Sequence, residues 1–188
     1  MNTLSEIAEI LKRQKSAVIF THMRPDGDTL GSAMALSRAL FMLKIRNEVV
    51  NEGEIPEKFL FLDGMRGIRR EPSMTDADAY ICVDSSDEAR LGAAQTAFLA
   101  GARKGKVTVN IDHHVSNTRF CRYNFVRPRA SNCENIAELI SLLGVRPDAV
   151  MAGYLLTGMI TDSGAFSHGD VNGDTFRAAA YAADAGAD

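Results

Sequence analysis

Short runs of consecutive apolar residues alternate along the chain with longer segments in which apolar residues recur every three or four positions. The short runs predict strands buried on both faces, and the longer segments predict helices. Strands are predicted at 17–20, 46–51, 79–83 and 107–111. Helices are predicted at the start of the chain and at 29–44, 56–62, 88–100, 134–143, 147–160 and 175–185. This alternation predicts an α/β fold, a mostly parallel sheet with helices on both faces.

Composition narrows the class of protein. A length of 188 residues, 46% of them hydrophobic, fits one globular domain with a substantial core. The formal net charge of -3 argues against a surface built to coat duplex nucleic acid. Cysteine occurs only at Cys82, Cys121 and Cys133, an odd number without close pairing, which favours a reducing compartment. The first residues lack the apolar core of a signal peptide, and no apolar stretch is long enough to span a bilayer. We therefore expect a cytoplasmic protein with no membrane partner.

Polar clusters rich in Asp and His follow three of the predicted strands, and a fourth follows a predicted helix. In open α/β sheets the site lies outside the carboxyl ends of the strands, so the clusters are expected to converge in space. The candidates are His22, Asp26 and Asp28 in THMRPDGDTLGS, Asp84 in VDSSD, Asp112, His113 and His114 in NIDHHVSN, and Asp162 in TGMITDSGAF.

Each cluster taken alone has a simpler interpretation. The string PDGD suits a surface turn in which Asp28 caps the next helix. Asp84 equally suits a helix cap, and His168 in FSHGD is expected to be an exposed loop histidine. Taken together, however, the clusters offer His and Asp ligands without cysteine, a set that suits hard or borderline divalent ions such as Mn²⁺. Two such ions about 3.5–4 Å apart can share a carboxylate and a hydroxide that attacks phosphorus in line.

The ordered strings HMRPDGD, VDSSD, DHH and TDSG resemble the four motifs of the DHH phosphoesterases, and the similarity runs from Val18 to the AGAD terminus. Within that family the chain is most similar to the nanoRNase/pAp-phosphatase (bifunctional oligoribonuclease) group. Those enzymes hydrolyse short oligonucleotides and 3′-phosphoadenosine 5′-phosphate. The resemblance therefore implies a hydrolase of phosphate esters that uses two Mn²⁺ ions, with Mg²⁺ or Co²⁺ as substitutes.

The resemblance also assigns roles to the candidate residues. His114 would contact the scissile phosphate or assist protonation of the leaving group, and Asp112 would orient a neighbouring ring without binding metal. Asp84 would bridge the two ions. One ion would be bound by His22, Asp26 and Asp84, and the other by Asp28, Asp84, His113 and Asp162.

Two departures from the family pattern qualify this assignment. Where relatives usually have a Ser-Thr pair, this chain has Asn132 and Cys133, a difference expected to touch no ligand but to alter substrate contacts. Residues 1–188 are expected to be the catalytic domain alone, because the C-terminal DHHA1 substrate-binding domain of the group is absent from this chain. The expected partner is a short single-stranded oligonucleotide or a small nucleotide, with a homodimer left open.

Other functions share the same ligand pattern. Within enzymes, the alternatives are a pyrophosphatase, a cyclic-dinucleotide phosphodiesterase or a nuclease for longer single-stranded DNA. The alternative from another class is a non-catalytic nucleotide- or metal-binding module. The intact ligand set argues against that module, because a degenerate site is expected to have lost at least one member.

Overall fold

Five parallel strands form a single sheet in the computed structural model, which describes residues 1–168 and 170–188. The strands are β1 (Ser16–Phe20), β2 (Arg46–Val50), β3 (Ala79–Val83), β4 (Val107–Asp112) and β5 (Tyr123–Val126). Their order across the sheet is β2-β1-β3-β4-β5, and every pairing is parallel. The four strands predicted from the sequence are confirmed. The edge strand β5 was not predicted.

Six α-helices surround the sheet in the part of the chain that the structure describes. They are α1 (Leu4–Lys12), α2 (Gly27–Met42), α3 (Gln95–Arg103), α4 (Asn132–Leu142), α5 (Ala149–Asp162) and α6 (Gly173–Asp184). Short 3₁₀ segments cover Glu57–Phe59, Met65–Gly67 and Glu88–Ala94.

Two helix predictions were wrong in detail. The segment predicted as one helix over 88–100 is a 3₁₀ segment followed by α3, because Gly92 has a left-handed φ of 61°. The helical pattern at 56–62 forms only a short 3₁₀ segment, Glu57–Phe59, which Pro56 precedes in an extended conformation.

Helices cover both faces of the sheet, as predicted, but unequally. On β1, Ala17 and Ile19 point into the larger core, which is built with α1, α2, α4 and α5. Val18 and Phe20 point to the opposite face, where Phe98 of α3 packs edge-on against Phe20. Alternation along a strand buried on both faces explains why these runs are uniformly apolar. Among the residues that the structure describes, no helix has the length and apolar character needed to cross a membrane.

The helix α2 passes very close to α5 and α4. A side chain at Gly31 would collide with the carbonyl oxygen of Tyr154, and one at Gly158 would collide with Cys133. Gly31 permits this close approach because it has no side chain. The contact holds α2, which carries Asp28 in its first turn, at a fixed position beside α4 and α5.

The chain moves from β1 to β2 toward one edge of the sheet and from β3 to β4 toward the other edge. The chain leaves β1 toward α2 on one face, whereas it leaves β3 toward Glu88–Ala94 and α3 on the other face. Connections that diverge in this way open a crevice at the carboxyl ends of the two central strands, which is where ligands bind in open α/β sheets.

Candidate metal centre

The loop after β1 places a buried histidine beside a helix-capping aspartate. Asp26 is the N-cap of α2, and its Oδ1 accepts hydrogen bonds from the amides of Asp28 (3.1 Å) and Thr29 (3.0 Å). Its other oxygen, Oδ2, lies 3.4 Å from Nε2 of His22. One oxygen of Asp26 therefore caps α2, and the other faces the imidazole of His22. The simpler interpretation of PDGD assigned the cap to Asp28, and this was wrong.

Asp28 lies inside the first turn of α2 and is 1% exposed. Its oxygens accept hydrogen bonds from the backbone amides of Asn132 (2.5 Å) and Cys133 (2.8 Å), the first residues of α4. The expectation that this pair touches no candidate ligand was therefore wrong, since its backbone holds Asp28 in place. Burial and the nearby carboxylate of Asp84 raise the pKa of Asp28 well above its ordinary value.

Asp84 lies at the centre of the cluster and is 2% exposed. It follows β3 directly and adopts a left-handed φ of 54°, a conformation uncommon outside glycine that is often associated with functional sites. Its Oδ2 lies 3.4 Å from Nε2 of His22, and its Oδ1 lies 3.3 Å from Nε2 of His113. Although burial raises the pKa of Asp84, the two imidazoles outweigh it and lower that pKa overall. One carboxylate thus faces two histidines on opposite sides.

The end of β4 directs two adjacent histidines differently. Nδ1 of His113 lies 2.9 Å from the carbonyl oxygen of Arg129, which fixes the ring so that Nε2 faces the cluster. From there Nε2 lies 3.6 Å from Oδ2 of Asp162 and 3.8 Å from Oδ2 of Asp28. Burial alone would lower the pKa of His113, but the carboxylates of Asp84 and Asp28 raise it to about 10.

His114 faces a separate polar network. Its Nδ1 lies 2.8 Å from Oδ1 of Asp112, the fully buried last residue of β4. The amide of Asn117 donates to the other oxygen of Asp112 (2.6 Å) and to the side-chain oxygen of Asn110 (2.7 Å). Asp112 is therefore held from one side while it orients the ring of His114 from the other. Sequence reasoning missed Asn117, although it lies in the same string, NIDHHVSN.

Asp162 is the last residue of α5, so the helix ends two residues later than the predicted end at 160. Its side chain is 33% exposed, and burial raises its pKa. His168 is exposed, as expected, and lies outside the groups described below.

Ligand atoms of these residues form two triads suited to a cation. One joins His22, Asp26 and Asp84, and the other joins Asp28, His113 and Asp162; within each triad the ligand atoms lie within 4.8 Å of one another. Asp84 also belongs to a third group, with Asp112, His113 and His114. The structure therefore brings all eight sequence-predicted site residues into one neighbourhood at the carboxyl edge of the sheet.

The chemistry of the cluster fits divalent cations. Both nitrogens of His22 and Oδ1 of Asp84 are buried without a hydrogen-bond partner among the described residues, whereas buried polar atoms are normally paired. Burial opposes a charged His22, yet the carboxylates of Asp26 and Asp84 raise its pKa to about 9. The carboxylates therefore favour positive charge between them, and a bound cation supplies it while leaving the imidazole neutral.

A cavity of about 370 Å³ adjoins the cluster on the side of His22. It is lined by His22, Met23, Arg24 and Arg90. Sequence reasoning did not single out either arginine. Several basic residues away from this cavity form ion pairs with carboxylates, such as Lys106 with Asp76 (3.0 Å).

Comparison with known proteins adds a family. The family described as "DHH family, N-terminal domain" matches residues 16–159, a span that contains seven of the eight candidate residues and ends just before Asp162. The solved structure of an exopolyphosphatase-related protein from Bacteroides fragilis superimposes with a TM-score of 0.88 at 23% identity, covering 98% of this chain and 57% of that one. That likeness concerns the fold.

Two relatives with assigned names are also similar. A bifunctional oligoribonuclease and PAP phosphatase NrnA from Thermus thermophilus is 33% identical over 176 residues, which is 93% of this chain and 52% of that protein. A probable manganese-dependent inorganic pyrophosphatase from Streptococcus mutans is 27% identical over 154 residues, 78% of this chain and 47% of that protein. The chain thus spans about half the length of these relatives.

Proposed function

This chain belongs to the DHH family of phosphoesterases, and we propose from that membership that residues 1–188 form a manganese-dependent catalytic domain. Its proposed substrates are short single-stranded oligonucleotides and small phosphorylated nucleotides such as 3′-phosphoadenosine 5′-phosphate. The name of the Thermus thermophilus relative supports this choice of substrate, and the name of the Streptococcus mutans relative supports manganese. The three cysteines are buried and free, and their odd number supports a cytoplasmic location.

The observation that carries the proposal is the position of Asp84, which belongs to one triad and also faces His113 of the other. Its oxygens face His22 on one side and His113 on the other, at 3.4 and 3.3 Å. Aspartates surround it: Asp26, Asp28, Asp112 and Asp162. A negative cluster of this kind would repel a phosphate unless cations neutralised it. We therefore assign His22, Asp26 and Asp84 to one Mn²⁺, and Asp28, Asp84, His113 and Asp162 to a second.

Two bound divalent ions would supply charge neutralisation at phosphorus and a nucleophile of lowered pKa. The residues of the chain prepare the remainder of the site. The amides of Asn132 and Cys133 keep Asp28 oriented, and the Arg129 carbonyl keeps the Nε2 of His113 turned inward. Preorganised groups of this kind need no rearrangement during the reaction.

His114 is proposed to contact the phosphate that is cleaved. An ionised Asp112 only accepts hydrogen bonds, so the Nδ1 of His114 must donate to it, and Nε2 is left to face the substrate. The ring is 31% exposed, which is compatible with contact to a bound molecule. When the ring is protonated at both nitrogens, Nε2 can donate a hydrogen bond to a phosphoryl oxygen or deliver its proton to the leaving oxygen.

A substrate panel tests the proposal. The chain is incubated with Mn²⁺, Mg²⁺ or Co²⁺ and with 3′-phosphoadenosine 5′-phosphate, a 5′-phosphorylated dinucleotide, pyrophosphate or a cyclic dinucleotide, and phosphate or nucleotide release is measured. We expect Mn²⁺-dependent hydrolysis of the first two. Faster release from pyrophosphate would favour the alternative raised by the Streptococcus mutans relative. Metal binding without turnover of any substrate would favour a non-catalytic module.

A matched pair of variants makes the panel specific. Asp84→Asn removes the carboxylate between the triads, whereas Asp76→Asn removes one from a residue that precedes β3 and lies at the opposite edge of the sheet. Activity that disappears in the first variant and persists in the second originates in this site rather than in a contaminating hydrolase.

A further inference from the structure

The cavity beside His22 lies apart from the residues assigned to the cleaved phosphate. His22 faces Oδ2 of Asp84, whereas His114 faces Oδ1, with its Nδ1 3.7 Å away. The cavity is lined by His22, Met23, Arg24 and Arg90, and includes neither His114 nor Asp162. It therefore opens on the His22 side of the centre. Its volume of about 370 Å³ is ample for a phosphate group together with part of a sugar.

The position of Arg90 is fixed by its backbone. Its amide donates to Oδ1 of Asp87 (3.1 Å), and its carbonyl oxygen accepts from the amide of Met23 (2.7 Å). The second bond joins the segment after β3 to the loop after β1, across the crevice between the two central strands. Arg90 is half-buried and Arg24 is exposed, so the pair places two arginines of different exposure beside His22.

Neither guanidinium is neutralised within the described part of the chain. No carboxylate of residues 1–168 or 170–188 lies within 4.0 Å of the Arg24 or Arg90 side chain. Some arginines elsewhere are paired, such as Arg38 with Asp148 at 2.6 Å and Arg129 with Glu138 at 2.7 Å. Unpaired arginines that line a cavity are available to an anion, and the guanidinium fork matches the geometry of phosphate oxygens.

We propose that Arg24 and Arg90 form a subsite for a second phosphate group of the substrate, distinct from the phosphate that is cleaved. This inference rests on the proposed function, since it takes the metal triads and His114 as the place of cleavage. It gives the centre a preference for substrates with two phosphate groups, such as a nucleoside bisphosphate or a 5′-phosphorylated dinucleotide. A monophosphate would engage the cations and leave the arginines empty.

The test compares ligands that differ by one phosphate. Titration calorimetry with Mn²⁺ present measures the dissociation constants of adenosine 3′,5′-bisphosphate and of AMP for the unmodified chain and for Arg24→Gln, Arg90→Gln and the double variant. Chromatography after each titration checks the ligand, and where it is hydrolysed the ratio of kcat/KM values replaces the ratio of dissociation constants. Arg13→Gln is the matched control, because Arg13 is exposed and precedes β1 at the opposite edge.

We expect the unmodified chain and Arg13→Gln to prefer the bisphosphate. Each arginine substitution should weaken bisphosphate binding about tenfold, the lower range for a charge-assisted hydrogen bond, and leave AMP binding unchanged. Equal weakening of both ligands would place the arginines on the cleaved phosphate and overturn the proposal, as would no preference in the unmodified chain or no effect of the double variant. Arg24 is exposed, so its substitution tests the proposal even if Arg90→Gln disturbs folding. Arginine-dependent preference without any hydrolysis would count against the proposed activity alone.

Discussion

His114 and Asp112 form a pair in which Nδ1 of the imidazole lies 2.8 Å from Oδ1 of the carboxylate, two residues earlier in the chain. The neighbouring His113 turns away from this pair and points its Nδ1 at the carbonyl of Arg129. Adjacent histidines in one motif are thus oriented by different partners. We therefore expect replacement of His113 and replacement of His114 to have different effects on metal binding and on activity.

Replacing His114 with alanine should leave the Mn²⁺ content nearly intact and lower kcat by about 10²–10⁴-fold, the usual contribution of a positioned acid or base. Replacing His113 should weaken Mn²⁺ binding and lower activity through the loss of metal. Metal stoichiometry by atomic emission, measured beside kcat for each variant, distinguishes the two. Equal metal loss in both variants would show that the histidines share one role.

Asp84→Asn should reduce Mn²⁺ binding at both sites and abolish turnover. The substitution keeps the size of the side chain but removes the charge between the triads. Asparagine tolerates the left-handed φ of 54° found here, so the fold should persist, and circular dichroism checks this. Retention of two ions per chain by titration, together with normal turnover, would exclude a bridging role for Asp84.

Removing metal should lower thermal stability. Mn²⁺ at about 100 times its dissociation constant would stabilise the native chain by about 2.7 kcal/mol, since the unfolded chain holds no preformed site. For a chain of this length that corresponds to a Tm difference of roughly 5–10 °C between Mn²⁺ and a chelator. Calorimetry measures the difference, and Asp84→Asn should largely abolish it. A Tm indifferent to Mn²⁺ in the unmodified chain would contradict the proposed ligation.

Replacing two glycines of α5 with alanine, one at a time, should change the stability of the protein in opposite directions. A side chain at Gly158 would collide with Cys133 and lie 2.9 Å from Oδ1 of Asp28, whereas one at Gly153 would meet no atom within 4 Å. Gly158→Ala should therefore cost about 1–3 kcal/mol of unfolding free energy and weaken Mn²⁺ binding by displacing Asp28. Gly153→Ala should stabilise the helix by about 0.5–1 kcal/mol and leave Mn²⁺ binding unchanged.

Urea denaturation and metal titration of both glycine variants provide the comparison. The prediction is wrong if the two substitutions change stability in the same direction, or if Gly158→Ala binds Mn²⁺ as the unmodified chain does.

The sequence alone was sufficient to predict the central strands and the place where the candidate residues meet. The strands β1 and β3 are largely apolar runs, β4 alternates apolar with polar residues, and an Asp or His lies at or within two residues of the end of each. Because parallel strands end at one edge, the convergence of these side chains followed from the fold class. Strand β5 carried no such signal, since it is four residues long and is stabilised through distant partners. The amide of Asn124, for example, donates to the side chain of Asn2 at 3.0 Å.

The residues that support the candidate ligands could not be predicted from the sequence, and the reason differs from that for β5. Asp28 is held by backbone amides of Asn132 and Cys133, which any residues in those positions would supply. The identities of these side chains therefore do not indicate that their backbone amides hold Asp28 in place. Arg90 likewise becomes notable only once the fold joins its carbonyl to Met23. The candidate ligands could be recognised by residue type and spacing, whereas residues whose roles depend on their position in the fold could not.

The all-parallel sheet has a consequence for the order in which the protein folds. Its central pairing joins Ala17 to Ala79, and no neighbouring strands are linked by a hairpin, so the sheet closes only after distant segments have met. We expect the candidate ligands to come together only once the sheet has closed, after the rate-limiting barrier. In stopped-flow experiments Mn²⁺ should therefore slow unfolding and leave the refolding rate nearly unchanged. The ions would then stabilise the completed sheet and not the transition state from which it forms.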